Sequence, residues 1–175
     1  MQNGSTIINK GDLIHCDFGI TYLTLHTDTQ RLAYILKDGE TDVPDEIKEA
    51  YKENMRFHKI VRDCFVEGKS GNEIFLEAIE KSKEEGIKAM LYTHPLGLFG
   101  HAPGPMVGLF SDQNPVYPSG ELKLRDATSY ALELNTRRYL EMYGKEIYFF
   151  TEESTLFKDG KLSYLSEPHD EVYKI

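Results

Sequence analysis

Four acidic residues stand in or beside segments that are otherwise apolar. Asp17 lies in LIHCDFGI, Asp28 in LTLHTDTQ, Glu133 in SYALELN and Glu152 in IYFFTEEST. A carboxylate in a half-buried strand is costly unless it is paired or bound to a metal ion. One such residue is compatible with an ordinary turn or edge carboxylate, but four of them indicate a shared cause.

Two histidines, His94 and His101, lie seven positions apart in the apolar and kinked segment THPLGLFGH. Clustered carboxylates repel one another, and two divalent cations about 3.5 Å apart would supply the missing positive charge. A histidine would complete the coordination, although a loop histidine bonded to the backbone is the alternative. The oxygen-rich ligation favours Mn, Co, Fe or Zn. The predicted ligands of this two-metal site are Asp17, Asp28, His94, Glu133 and Glu152.

The elements that must position these residues follow from the hydrophobic pattern. Residues 12–36 alternate as a hairpin or bent meander, and apolar residues at helical spacing predict helices over 44–67 and 71–85. Pro44 suits the start of the first helix, and Ser70 with Glu73 forms a capping box for the second. Strands are then predicted at IKAMLY, MVGLF, SYALELN, EIYFFTEEST and LSYL, with a KDGK turn before the last. This order predicts one α+β domain over residues 1–175, a curved antiparallel sheet with helices on one face.

Composition narrows the functional classes. The net charge of −9 argues against a nucleic-acid partner. The polar start MQNGSTIINKGD has no signal-peptide core, and no apolar run approaches the ~18 residues of a membrane helix. We therefore predict no membrane association and a cytoplasmic location. Cys16 and Cys64 lack metal or redox spacing and are expected to be reduced thiols.

Four segments together resemble the M24 metallopeptidases, the family of methionine aminopeptidase, Xaa-Pro aminopeptidase, prolidase and creatinase. They are GDLIHCDFGITYLTLHTDTQR, HPLGLFGH, LELNTRRY and TEESTLFKDGK. The first resembles a motif with two aspartates eleven residues apart, the second a pair of histidines seven apart, and the others the two glutamate segments. The resemblance extends from about residue 7 to 166 and implies the pita-bread fold.

The resemblance also assigns roles. Asp17 and Glu152 resemble the bridging or bidentate carboxylates, and Asp28, His94 and Glu133 complete the two metal sites. Glu133 resembles the acid–base glutamate, and His101 the histidine that contacts substrate and stabilises the tetrahedral intermediate. Glu153 is the rival of Glu152. The implied activity is metal-assisted hydrolysis of the N-terminal bond of a peptide.

The sequence departs from the family pattern at Pro95, Ala102, Leu134 and Phe150. These positions surround the predicted ligands, so the ligand set looks intact while the substrate contacts look altered, and proline-specific cleavage is less expected. Two alternatives therefore stay open: a pita-bread protein that binds peptide or protein without cleaving it, and a creatinase-like amidinohydrolase. The resemblance begins close to residue 1, which predicts the C-terminal part of a longer protein whose open sheet edge pairs with a missing segment or a second copy.

Other polar residues have simpler interpretations. His58 lies in the apolar stripe of the first helix and is predicted to be packed. His15 and His26 each precede a predicted ligand by two positions, which makes supporting roles conceivable but surface or packing roles more common. Three arginines could anchor a substrate carboxylate, although such residues more often pair with surface acids: Arg31, Arg137 and Arg138.

Overall fold

The computed structural model describes residues 7–175. Within this range the chain forms ten strands, two α-helices and a 3₁₀ turn at Ser119–Glu121. The helices are α1, Asp45–Cys64, and α2, Gly71–Glu84. The strands are β1 Leu13–Phe18, β2 Thr21–Tyr22, β3 Leu25–His26, β4 Thr29–Tyr34, β5 Ala89–Leu91, β6 His94–Pro95, β7 Thr128–Leu140, β8 Lys145–Lys158, β9 Lys161–Tyr164 and β10 Tyr173–Lys174.

The main sheet has the order β1-β4-β8-β7-β5. All pairings along this path are antiparallel, while β10 joins β4 in parallel and β2 and β3 form a separate small ribbon. The long strands β7 and β8 pair along their length, from Thr128 with Phe157 to Leu140 with Lys145. This pair forms the centre of the sheet and fixes the relative positions of side chains on its neighbours.

Both helices pack on one face of the sheet. Phe57 and Val61 of α1 and Ile74 of α2 share a core with Tyr130 and Leu132 of β7. Because strand side chains alternate between faces, the residues between these core positions point to the opposite face. The core therefore leaves Glu133, which lies next to Leu132, on the face away from the helices.

Local sequence signals fix the helix ends. The predicted capping box is confirmed: the Ser70 hydroxyl accepts from Glu73 N at 3.2 Å, and the Glu73 carboxylate accepts from Ser70 N at 2.7 Å. Pro44 occupies the N-cap position of α1, and Asp45 and Glu46 follow in its first turn, where their charge suits the helix dipole. Both helices lie within three residues of their predicted bounds.

The predicted strand at MVGLF is wrong. Within the described residues this segment makes only isolated bridges, between Thr93 and Val107 and between Leu109 and Asp112. Gly108 has a φ of +80°, and a Cβ there would lie 2.1 Å from the Leu91 carbonyl oxygen. The glycine therefore turns the chain close to β5 where a regular strand would continue.

Three further features bear on the predictions. Cys16 and Cys64 are both free thiols, as expected. In the part of the chain that the structure describes, neither helix combines the length and apolarity needed to cross a bilayer. The predicted single domain over residues 1–175 stays a prediction, and residues 1–6 lie outside the described range.

Candidate metal centre

Register places four polar residues in one row across four strands. Asp17 of β1 is paired with Gln30 of β4, Gln30 with Glu152 of β8, and Glu152 with Glu133 of β7. Directly paired residues project to the same face of a sheet. The row therefore crosses the face opposite the helices and brings together carboxylates that are far apart in the sequence.

The remaining two predicted ligands reach this row from its flanks. Asp28 immediately precedes β4, and its backbone oxygen accepts from the Ser154 hydroxyl at 3.3 Å. His94 begins β6 and is paired with Ala131, two residues before Glu133 on β7. Asp28, from the loop before β4, and His94, from the short strand β6, thus approach the face of the sheet on which Glu133 lies.

All five predicted ligands and His101 fall into overlapping groups with donor atoms within 4.8 Å of one another. The groups are Asp17 with Asp28 and Glu152, His94 with Glu133 and Glu152, and Asp28 with His94 and His101. His94 Nε2 lies 3.6 Å from Glu133 Oε2 and 3.8 Å from Glu152 Oε1. The sequence prediction therefore named residues that converge in space, without any of them being adjacent in the chain.

Burial makes the electrostatics of this cluster unfavourable for the charged state. Burial, and then the charges of Glu133, Asp28 and Asp17, raise the pKa of Glu152 to about 9. Burial, with further contributions from Asp17 and Asp28, also raises the pKa of Glu133 to about 7. Burial lowers the pKa of His94 to about 4, so this imidazole is neutral at pH 7. A neutral imidazole is the form that binds a metal.

The buried donor atoms fit divalent cations. Both Glu152 oxygens and His94 Nε2 are buried and have no hydrogen-bond partner among residues 7–175. Groups of this kind are normally paired, so three in one place require an explanation. Carboxylate oxygens with imidazole nitrogen form a donor set that suits Mn, Co, Fe or Zn, and a cation would satisfy these atoms and lower the mutual repulsion.

Glu153, the rival of Glu152, points to the helix face. Its carboxylate accepts from Arg31 Nη2 at 2.9 Å and from the backbone N–H of His169 at 2.9 Å. Arg31 therefore pairs with a buried acid, and its Nη1 donates to the backbone oxygens of Gln30 and Glu152. The alternation of β8 thus places Glu152, the predicted ligand, and Glu153, its rival, on opposite faces of the sheet.

His101 lies directly against His94. Their ring centroids are 3.8 Å apart with an interplanar angle of 13°, and His101 is exposed while His94 is buried. The same residue comes within ligand distance of Asp28. The structure thus places His101 at the solvent-facing side of the cluster, where it could meet a substrate or contribute a further donor.

Sequence reasoning missed Gln30. Its amide nitrogen donates to Glu133 Oε1 at 2.5 Å, and its amide oxygen lies 3.0 Å from His15 Nε2. Gln30 is 3% exposed and occupies the place in the row between Asp17 and Glu152. Its position two residues after Asp28, on the same side of the chain, is the signal that could have identified it. This contact also gives His15 a link to the cluster.

The other candidates lie outside the cluster. His58 is buried against Thr151, with Nε2 2.8 Å from its hydroxyl, which confirms the packed role. Arg138 approaches Glu53 at 3.5 Å, and Arg137 donates to the Tyr148 hydroxyl at 3.4 Å. His26 belongs to the small β2–β3 ribbon. Neither His58 nor His26 is in a ligand group among the described residues.

The comparisons identify the family. Residues 1–156 match the model of metallopeptidase family M24, and the chain belongs to that family. A search of curated proteins gave no significant match.

Solved structures share the fold. An X-Pro aminopeptidase from Thermotoga maritima has a TM-score of 0.72 at 22% identity, over 96% of this chain and 42% of its own. A prolidase from Thermococcus sibiricus has a TM-score of 0.70 at 19% identity, over 100% of this chain and 43% of its own. A methionine aminopeptidase from Rickettsia prowazekii has a TM-score of 0.63 at 13% identity, over 90% of this chain and 65% of its own. The α+β pita-bread fold predicted from the sequence is confirmed, and the chain spans less than two thirds of each of these proteins.

Proposed function

We propose that the chain is part of a metal-dependent exopeptidase that hydrolyses the N-terminal bond of peptides and uses two divalent ions. The observation that carries the proposal is Glu152, a buried carboxylate without a hydrogen-bond partner in residues 7–175, within 3.8 Å of the equally unpartnered His94 Nε2. Asp17, Asp28, His94, Glu133 and Glu152 would hold the two ions. The ions, when bound, would supply a nucleophile at neutral pH and polarise the scissile carbonyl.

The protein's own residues would manage the protons. Glu133, which lies in one donor group with His94 and Glu152, would accept and return a proton. Gln30 holds one Glu133 oxygen and leaves the other directed towards His94. His101, exposed beside the cluster, would donate a hydrogen bond to the oxygen of the carbonyl under attack.

The proposal includes a peptide as substrate, a cytoplasmic location and no nucleic-acid or membrane partner. It also includes a further strand beside β1, from another part of a longer protein or from a second copy. β1 ends the order of the main sheet and has β4 as its only partner among the described strands, and Phe18 at its end is 52% exposed. Chromatography with light scattering tests this, because a stable monomer of this chain alone would contradict it.

Metal analysis of Glu152→Gln and the matched Glu153→Gln tests the proposed ligands. After dialysis against Mn²⁺ or Co²⁺, we expect about two ions per chain in the parent and in Glu153→Gln, and a loss of at least about 100-fold in affinity in Glu152→Gln. Circular dichroism controls for folding. Equal metal content in all three proteins, or none in the parent, would overturn the proposal and favour a protein that binds without cleaving.

Substrate panels on the full-length protein then separate the catalytic alternatives. Dipeptides, tripeptides, Xaa-Pro peptides and creatine are supplied with added Mn²⁺ or Co²⁺. Release of the N-terminal residue from peptides supports the exopeptidase. Turnover of creatine alone would instead favour the amidinohydrolase.

A further inference from the structure

Aromatic side chains extend from the metal centre along the same sheet face. Phe150 stands two residues before Glu152 on β8, and Tyr148 two residues before Phe150, so alternation places all three on one side. The Phe150 ring lies 5.8 Å from Tyr148 and 6.3 Å from Phe110, and the Phe110 ring lies 5.2 Å from Tyr92. We call these four residues, Tyr92, Phe110, Tyr148 and Phe150, the aromatic shelf.

The aromatic shelf is connected by backbone and side-chain contacts to the row of polar residues that contains Glu133 and Glu152. Phe150 is paired with Asn135, and Glu152 is paired with Glu133. The two pairs are therefore one side-chain repeat apart along both strands. That repeat is about 7 Å along a strand. Tyr92 N donates to the Glu133 carbonyl at 3.2 Å, and Asn135 Nδ2 donates to the Tyr92 hydroxyl at 3.0 Å. Tyr92 and Phe150 are therefore tied by the sheet to Glu133 and Glu152, and Phe110 joins them through ring contacts.

The shelf is also open to a ligand. Phe110 is 58% exposed and Tyr148 is 39% exposed, while Tyr92 is buried and supports them. Exposed aromatic rings next to a polar cluster offer apolar area that a ligand can remove from water. The carboxylates and the shelf together thus present a charged part and an apolar part on one continuous surface.

We propose that the aromatic shelf receives the side chain of the substrate residue next to the scissile bond, and that this side chain is large and apolar, as in leucine, methionine or phenylalanine. This inference rests on the proposed function. Phe150 stands one side-chain repeat, about 7 Å, from Glu152 on β8, so a peptide whose scissile carbonyl lies at the carboxylates can place a neighbouring side chain on the shelf. Small side chains leave the shelf uncovered, and a basic side chain would meet the like charge of Arg137, which donates to the Tyr148 hydroxyl at 3.4 Å.

The test uses the full-length protein with Mn²⁺ or Co²⁺ and tripeptides Xaa-Gly-Gly in which Xaa is Ala, Leu, Phe or Lys. We expect kcat/KM for Leu and Phe to exceed that for Ala by about tenfold or more. In Phe150→Ala and in the more exposed Phe110→Ala, this ratio should fall towards one. Tyr139→Ala, which removes an exposed aromatic residue further along β7, is the matched control and should keep the parent ratio.

The outcomes separate this inference from the proposed function. Hydrolysis with equal rates for Ala and Leu, a preference for Lys, or a ratio unchanged in both shelf variants would overturn the inference and leave the exopeptidase standing. If no peptide is hydrolysed, the proposed function fails, and saturation-transfer NMR with leucinamide and alaninamide then tests the shelf by itself. Stronger contacts for leucinamide that disappear in Phe110→Ala would support the shelf, and equal contacts would overturn it.

Discussion

Two adjacent glutamates on opposite faces of β8, Glu152 and Glu153, differ in their hydrogen-bond partners. On the helix face, Glu153 meets Arg31 and a backbone N–H, and each of its oxygens has a partner. On the open face, Glu152 is equally buried, but its oxygens meet other carboxylates and an imidazole without a hydrogen bond among the described residues. Glu153 is therefore satisfied within the chain, whereas Glu152 would be satisfied only by added positive charge. This difference, more than burial itself, distinguishes the candidate metal centre from the rest of the sheet.

Glu152 and Glu153 should differ most in how they affect the stability of the metal-free protein. We expect Glu153→Met to lower the free energy of unfolding by about 3–5 kcal/mol, because Arg31 would lose its buried partner. Glu152→Met, the matched change on the other face, should leave the metal-free stability unchanged or raise it, because it removes an unsatisfied buried group. Urea unfolding in EDTA measures both.

The contrary result is simple to recognise. Equal losses in the two variants would mean that Glu152 is as well satisfied as Glu153 without metal. The difference between the two faces would then have no energetic basis.

The next effect concerns pH. Glu152 has an ordinary pKa of 4.5 and a folded pKa of about 9, so the folded protein holds a proton that the unfolded chain releases. The contribution of this proton to the free energy of unfolding is fully present below pH 4.5 and is lost as the pH rises through 9. The pKa of Glu133 is about 7, so its effect on the pH dependence of stability ends near that pH. Three histidines have lowered pKa values and affect stability only below about pH 6.5: His58, His94 and His169.

Between pH 7 and 9 the metal-free protein should therefore lose about 1.4 kcal/mol of stability per pH unit, mainly through Glu152. Thermal or urea unfolding in EDTA across this range measures the slope. Glu152→Gln should flatten it, and Glu153→Gln should not. A flat profile in the parent protein would show that Glu152 is already charged and paired at pH 7.

The sequence indicated which polar residues converge in space better than it indicated their surroundings. Asp17, Asp28, Glu133 and Glu152 were recognisable because acidic residues interrupt apolar strands, and His94 because it lies in an apolar, kinked segment. The choice of Glu152 over Glu153 came from the resemblance, and the strand register gives its physical reason: the register decides which face a residue occupies and leaves no mark in composition. The segment at MVGLF failed because the tight approach of Gly108 to Leu91 is a tertiary contact.

Gln30 escaped prediction for a related reason: a neutral amide in a strand draws no attention until the fold places it between charges. Because its amide holds one Glu133 oxygen, it orients the carboxylate that we assign to proton transfer. We expect Gln30→Ala to lower kcat by about tenfold, the low end of what supporting residues of a metal site contribute, with smaller changes in KM. The pH at which kcat is half-maximal should also move, since Glu133 would lose its donor.

Two variants serve as controls. Gln30→Asn, which is too short to reach β7, should behave like Gln30→Ala. Gln113→Ala removes an amide that bonds only backbone groups and should leave the pH profile unchanged. If Gln30→Ala lowered stability but left both kcat and its pH profile intact, Gln30 would belong with the packed polar residues of the helix face, and the row across the open face would contain only its carboxylates as working groups.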